Sequence, residues 1–275
     1  MKHNIKVTLA LILLFLAAQL IGILIVNHYL QINLPLNIER PEVDQGTSFI
    51  SIALGILLAT ILAFMLIRFK AMKIWKSWFF LSVVFCLTIS FGAILTDIFA
   101  IIVATILAYF KVFKPNVYIH NFTELFIYGG IASVFVPILN LVSIAILIFI
   151  LAIYDAIAVW KTGHMIKLAK FQAKSKLFAG LLVQYPAKLV KTTKKIKSRV
   201  VHNAILGGGD IAIPLLFSGV ILKTFGMIPA LISIIISTIT ITCLFFFAQK
   251  KKFYPAIPFL AIGCLISYLL IILIS

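Results

Sequence analysis

Seven acidic residues occur in the 275-residue chain, and two of them, Asp155 and Asp210, fall inside long apolar stretches. A carboxylate placed in the interior of a bilayer costs at least about 3 kcal/mol, so a group kept there has a use. The other five acids have ordinary positions: Glu39, Glu42 and Asp44 in one loop, Asp97 in a tight turn and Glu124 at a helix start. No lysine or arginine lies in the interior of an apolar stretch to pair with Asp155 or Asp210; the few within stretches sit at their ends. Two carboxyl groups held together in a low dielectric cannot both ionise, so one keeps a proton at neutral pH. The charged member can take a proton from water, which then attacks a peptide carbonyl, while the neutral member donates to the carbonyl oxygen. Any titration would belong to the pair.

The flanks of these acids suit work on a polypeptide backbone. Gly207, Gly208 and Gly209 precede Asp210, and Pro214 follows one turn later. Three glycines weaken a helix and admit another chain to backbone distance. Pro214 cannot donate to the carbonyl of Asp210. Pro255-Ala256-Ile257-Pro258 is a further irregular element, readable either as a proline-marked helix start or as exposed backbone buried by a partner.

The elements that carry these residues are membrane spans. Hydrophobic residues make up 63 % of the chain and charged residues only 11 %, whereas a soluble domain has roughly 45–50 % and 25 %. Nine apolar stretches have the length to cross a bilayer: about 5–27, 48–68, 78–95, 98–113, 124–140, 141–160, 204–222, 229–248 and 255–275. The third and fourth, and the fifth and sixth, nearly merge, so eight spans is the other count. The run from Val7 to Val26 exceeds the 7–15 residues of a signal-peptide core and reads as a retained first span. The sequence therefore predicts an all-α membrane protein, a bundle of nine transmembrane helices forming one integral domain. Helices one to six occupy 1–160, a basic loop 161–203, and helices seven to nine 204–275.

Charge gives the orientation. With the N-terminus inside, every one of the 24 basic residues except Arg40 and Lys223 falls on the inside face. The net charge of +17 is thus topological and argues against a nucleic-acid partner. Membrane lipid is the expected surrounding, and the N-terminus and the 161–203 loop are expected in the cytoplasm. The apolar stretch Leu177–Val183 of that loop is readable as lying on the membrane surface, although a solvated basic loop is the simpler reading. Asp155 lies six residues before Lys161, and Asp210 six residues after Ala204, so both acids stand about 9 Å deep on consecutive helices.

Three motifs in this order resemble those of the presenilin and signal-peptide-peptidase family of intramembrane aspartyl proteases. Tyr154-Asp155 is similar to the family's YD motif, Gly207-Gly208-Gly209-Asp210 to its GxGD motif, and Pro255-Ala256-Ile257 to its PAL motif, with isoleucine in place of leucine. The resemblance implies that Asp155 and Asp210 are the catalytic pair and that Tyr154 helps to shape the site. It also implies that Pro255, Ala256 and Ile257 support the site, and that the substrate is a transmembrane helix, or a remnant signal peptide, unwound locally for cleavage. An extended substrate could pair with a strand edge near the site. The short chain resembles compact prokaryotic homologues, particularly archaeal ones, for which no obligatory partner subunits are expected.

Other chemistries have less support. The cysteines (Cys86, Cys243, Cys264) lie in apolar helices without metal-ligand spacing, and the five histidines are dispersed. There is no HExxH and no GxSG, so no metal and no cofactor is implied. A prepilin-peptidase-type enzyme shares the GxGD pattern but lacks the proline motif. A cation or proton transporter could also use two membrane aspartates beside broken helices, but no internal repeat is present. Asn121-Phe122-Thr123 has the form of a glycosylation site, to which its inside position gives no weight.

Overall fold

A computed structural model of the chain describes residues 4–69, 71–161, 177–186, 201–247 and 254–274. Nine α-helices run through the described residues: α1 (Ile5–Gln31), α2 (Ser48–Arg68), α3 (Met72–Gly92), α4 (Asp97–Phe113), α5 (Val117–Phe135), α6 (Leu141–Trp160), α7 (Gly208–Phe225), α8 (Met227–Phe247) and α9 (Ile257–Ile274). Eight have the length and apolarity to cross a membrane; α4, at 17 residues, is the short one. Among the described residues the two nearly merged pairs are separate helices, for reasons of local chemistry. Asn140 caps α6 by accepting from Ser143 N at 2.7 Å, after a 3₁₀ turn at Val136–Ile138 that contains Pro137. Between α3 and α4 the chain leaves helical geometry at Leu95 and Thr96.

The centre of the bundle is α7. Ile211 and the whole run from Ile213 to Leu222 are buried. A helix apolar on all sides is one that protein, rather than lipid, surrounds. α1, α5, α6, α8 and α9 pack around it. From α1, the fully buried Gln19 donates to the carbonyl of Ile211 at 2.8 Å, one residue beyond Asp210. By contrast α2 has no buried residue in its apolar window and rests chiefly against α6.

Between α6 and α7 the structure departs from the expected loop. Residues Gly180–Pro186 (β1) and Val201–Gly207 (β2) pair antiparallel, Gly180 opposite Gly207 and Val183 opposite Ala204. The stretch read as lying on the membrane surface is thus a strand inserted into the protein, with Leu177 and Leu181 buried. Its alternation of an inward Leu181 with half-buried Leu182 follows the two-residue period of a strand. The seventh helix starts at Gly208 instead of 204, because Ala204–Gly207 complete β2. Most basic residues of the 161–203 loop lie outside the described residues.

The far end of the bundle uses both of its cations as caps. Lys223 Nζ donates to the carbonyls of Pro137 at 2.8 Å and Leu139 at 3.0 Å, and Arg40 to that of Tyr29 at 2.6 Å. These two exceptions to the charge asymmetry satisfy carbonyls at helix ends.

Candidate active site

A cavity of about 610 Å³ opens at the end of the bundle where β1 and β2 lie, and Asp155 and Asp210 both line it. Each acid occupies a helix terminus. Asp210 stands in the first turn of α7 and accepts a backbone hydrogen bond from Gly207, the residue that caps the helix. This reach back to the cap is the acidic half of a capping box. Asp155, only 3 % exposed, belongs to the last turns of α6, and its carboxylate accepts from the backbone N–H of Ile257 at 3.2 Å and from that of Ala256. It therefore takes the unpaired donors that open α9. Pro258, at the second position of α9, has no N–H to leave unpaired there. The two readings of Pro255-Ala256-Ile257-Pro258 merge: it is a proline-marked helix start, and its backbone meets Asp155.

Both carboxyl groups thus face the positive ends of helices, and among the described residues neither has a lysine, arginine or histidine partner. They lie within electrostatic reach of each other. Asp210 stands nearer its helix start than the expected six residues, because the chain enters the site as a strand.

Gly207, Gly208 and Gly209 line the cavity at the strand-to-helix junction. Gly208 has a steric requirement: a Cβ there would stand 3.0 Å from the Tyr128 hydroxyl and 3.4 Å from the carbonyl of Ala179. Ala256 and Ile257 also line the cavity. Tyr154 does not; it is 38 % exposed on α6, one residue before Asp155 and on another face.

The opposite wall holds residues that the sequence reading passed over. Glu124 and Tyr128, on one face of α5, line the cavity. Glu124 is 1 % exposed and pairs with Lys111 Nζ of α4 at 2.7 Å, whose side chain is equally buried. Tyr128 donates to the other carboxylate oxygen, and so does the N–H of Gly180 at 2.9 Å. Lys111 also donates to Thr123 Oγ1 at 3.1 Å and contacts His120 Nδ1 at 3.2 Å. The signal was present: Lys111 ends one apolar stretch, Glu124 begins the next, and a short turn joins them at one membrane face.

A multi-span helical protein whose cavity brings together two unpaired membrane aspartates, beside a strand edge, has the architecture of an intramembrane aspartyl hydrolase. The chain belongs to the family described as signal-peptide peptidase, presenilin aspartyl protease, whose sequence model matches residues 12–275. It is an intramembrane aspartyl protease of that family. Two solved structures, both of a presenilin family intramembrane aspartate protease, share its fold. The one in a C222 crystal has a TM-score of 0.67 at 21 % identity, covering 98 % of this chain and 99 % of that one. The one in a P2 crystal has a TM-score of 0.66 at 22 % identity, covering 97 % and 98 %. No curated protein sequence matches the chain.

Proposed function

We propose that Asp155 and Asp210 are the catalytic pair of a GxGD-type protease that hydrolyses peptide bonds within membrane-spanning segments. The observation that carries this reading is their meeting in one cavity, with no basic partner among the described residues and each at a helix terminus. One carboxylate takes a proton from water, and the resulting oxygen attacks the substrate carbonyl carbon. The protonated partner gives its proton to the carbonyl oxygen, forming a tetrahedral diol. Its collapse breaks the C–N bond as the leaving nitrogen receives a proton from one acid and a diol hydroxyl gives its proton to the other, so the two acids again share one proton. Gly207, Gly208 and Gly209 admit the substrate backbone, while Ala256 and Ile257 hold Asp155 through their N–H groups and Pro255 precedes them at the start of α9.

Access from the bilayer is supported by a groove along the outer face of α3, lined by Ile74, Trp78, Leu81 and Phe85. It shares Ser82 and Cys86 with the catalytic cavity. A substrate helix seated there would reach the aspartates only by unwinding, and β2 offers it a strand edge. The basic asymmetry supports an inside N-terminus with the hairpin end of the bundle in the cytoplasm, in a prokaryotic cell membrane. An inside location predicts that a tag in the 161–203 loop is shielded in intact cells; labelling from outside contradicts that orientation.

The test uses the purified chain alone, with a labelled single-span peptide in detergent and products read by mass spectrometry. Cleavage by the wild type, lost in Asp155→Ala and in Asp210→Ala, is expected, and without added subunits. Cleavage that survives either substitution rules out the assignment.

A further inference from the structure

The two edges of the hairpin are treated differently. In an antiparallel pair, alternate residues of a strand turn N–H and C=O away from the partner. On β1 the outward residues are Gly180 and Leu182, and side chains of α5 take both groups of each. Asn121 Oδ1 accepts from Leu182 N at 2.9 Å, and Asn121 Nδ2 donates to Leu182 O at 2.7 Å. Glu124 Oε2 accepts from Gly180 N at 2.9 Å, and His120 Nε2 meets Gly180 O at 2.7 Å. Lys111 at His120 Nδ1 makes that nitrogen the acceptor, so Nε2 carries the hydrogen that Gly180 receives. One turn of helix thus performs the hydrogen bonding of a third strand, two contacts to one residue and two to the next but one. Gly180 itself has φ +137°, and a Cβ there would meet the carbonyl of Leu206 at 2.2 Å, so the contact requires glycine.

On β2 the outward residue opposite Leu182 is Ile205. It is 46 % exposed, lines the cavity with both aspartates, and its N–H and C=O have no partner among the described residues. Among the described residues β1 is closed and β2 is open, and the open edge leads in five residues to Asp210.

We propose that Asn121, Glu124 and His120, clamped by Lys111, form a strand-mimicking latch that fixes the hairpin on α5 and thereby sets which substrate bond reaches the aspartates. These are positioning residues: they touch the hairpin, and the hairpin offers its Ile205 edge to an extended substrate. The inference rests on the proteolytic assignment of Asp155 and Asp210 for its substrate and on the latch geometry for its device. A substrate strand paired to β2 moves with β2, and a slip of two residues presents a different bond to the acids.

The test combines amide exchange with cleavage mapping on the full chain in detergent, comparing wild type, Asn121→Ala and Tyr118→Ala. Tyr118 is 85 % exposed on the same helix and serves as the control. In Asn121→Ala the Leu182 amide is expected to exchange about tenfold faster or more, while thermal unfolding stays close to wild type. The same variant is expected to cut a labelled single-span peptide at several neighbouring bonds where the wild type has one dominant bond. Tyr118→Ala leaves both readouts unchanged. A folded Asn121→Ala protein that cuts at the wild-type bond overturns the proposal, whatever its exchange rate. If Asn121→Ala fails to fold, Asn121→Asp keeps the acceptor for Leu182 N–H, removes the donor, and carries the same two readouts. A wild type that cleaves no peptide defeats the proteolytic assignment instead; the latch is then judged by exchange alone, and unchanged protection of Leu182 overturns it.

Discussion

Two walls of one cavity bury carboxylates in opposite ways. On one wall Asp155 and Asp210 accept from backbone N–H groups and, among the described residues, have no lysine, arginine or histidine beside them. On the other, Glu124 is saturated: Lys111 on one oxygen, Tyr128 and Gly180 on the second. An acid gripped by a lysine and two further donors is fixed in place, whereas an acid held by backbone N–H groups at helix ends keeps acceptor sites open to the cavity. On the proposed assignment, the difference separates a carboxylate that holds structure from one that does chemistry. It also shows why a count of acids in apolar stretches is not enough: the partner decides the role.

The contrast can be broken from the paired side first. Lys111→Met strands Glu124 without its counter-ion, and losing one partner of a buried pair costs about 3–5 kcal/mol. The melting temperature should drop accordingly, and Lys111→Met/Glu124→Gln should recover much of the loss. A single variant as stable as wild type would mean that the pair carries no structural weight. A smaller effect is expected at the junction where the walls meet. Gly208→Ala pushes a methyl group toward the Tyr128 hydroxyl and should cost about 1–3 kcal/mol, partly relieved when Tyr128→Phe is combined with it. Additive losses in that double variant would show that the two residues are not in contact. The smallest effect belongs to the tie between α1 and α7. Gln19→Leu removes the donor to Ile211 O, and interhelical hydrogen bonds of this kind are worth about 0.6 kcal/mol in membranes. A slight fall in melting temperature with a larger fall in turnover would mark Gln19 as a support for the adjacent Asp210; equal proportional losses would mark it as packing.

Much of this arrangement was legible in the sequence because the bilayer simplifies the problem. Asp155 and Asp210 stand out against apolar surroundings, and Pro255-Ala256-Ile257 is conspicuous because prolines must be accommodated there. Eight of the nine described helices follow from apolar length, and Asn116 and Asn140 cap two of the starts. What the sequence concealed was non-local. Leu177–Val183 has the composition of either a surface segment or a strand, and only pairing with 201–207 distinguishes them. The Lys111–Glu124 pair was divided between two stretches and so counted as two unremarkable ends. Asn121 lay inside a glycosylation-like triplet, while its function depends on Leu182, 61 residues away. Tyr154, suggested by resemblance, stands outside the cavity, and Tyr128 occupies the wall instead.

The central claim is that the unpaired acids serve chemistry and the paired one serves the fold, and one side-by-side measurement addresses it. Asp155→Asn, Asp210→Asn and Lys111→Met would each be assayed for thermal unfolding and for cleavage of a single-span peptide. Both asparagine variants are expected to unfold close to wild type and to cleave nothing. Lys111→Met is expected to unfold well below wild type yet still hydrolyse peptide while folded. Asparagine variants that retain cleavage, or a Lys111→Met protein that is stable and inert, would contradict the claim.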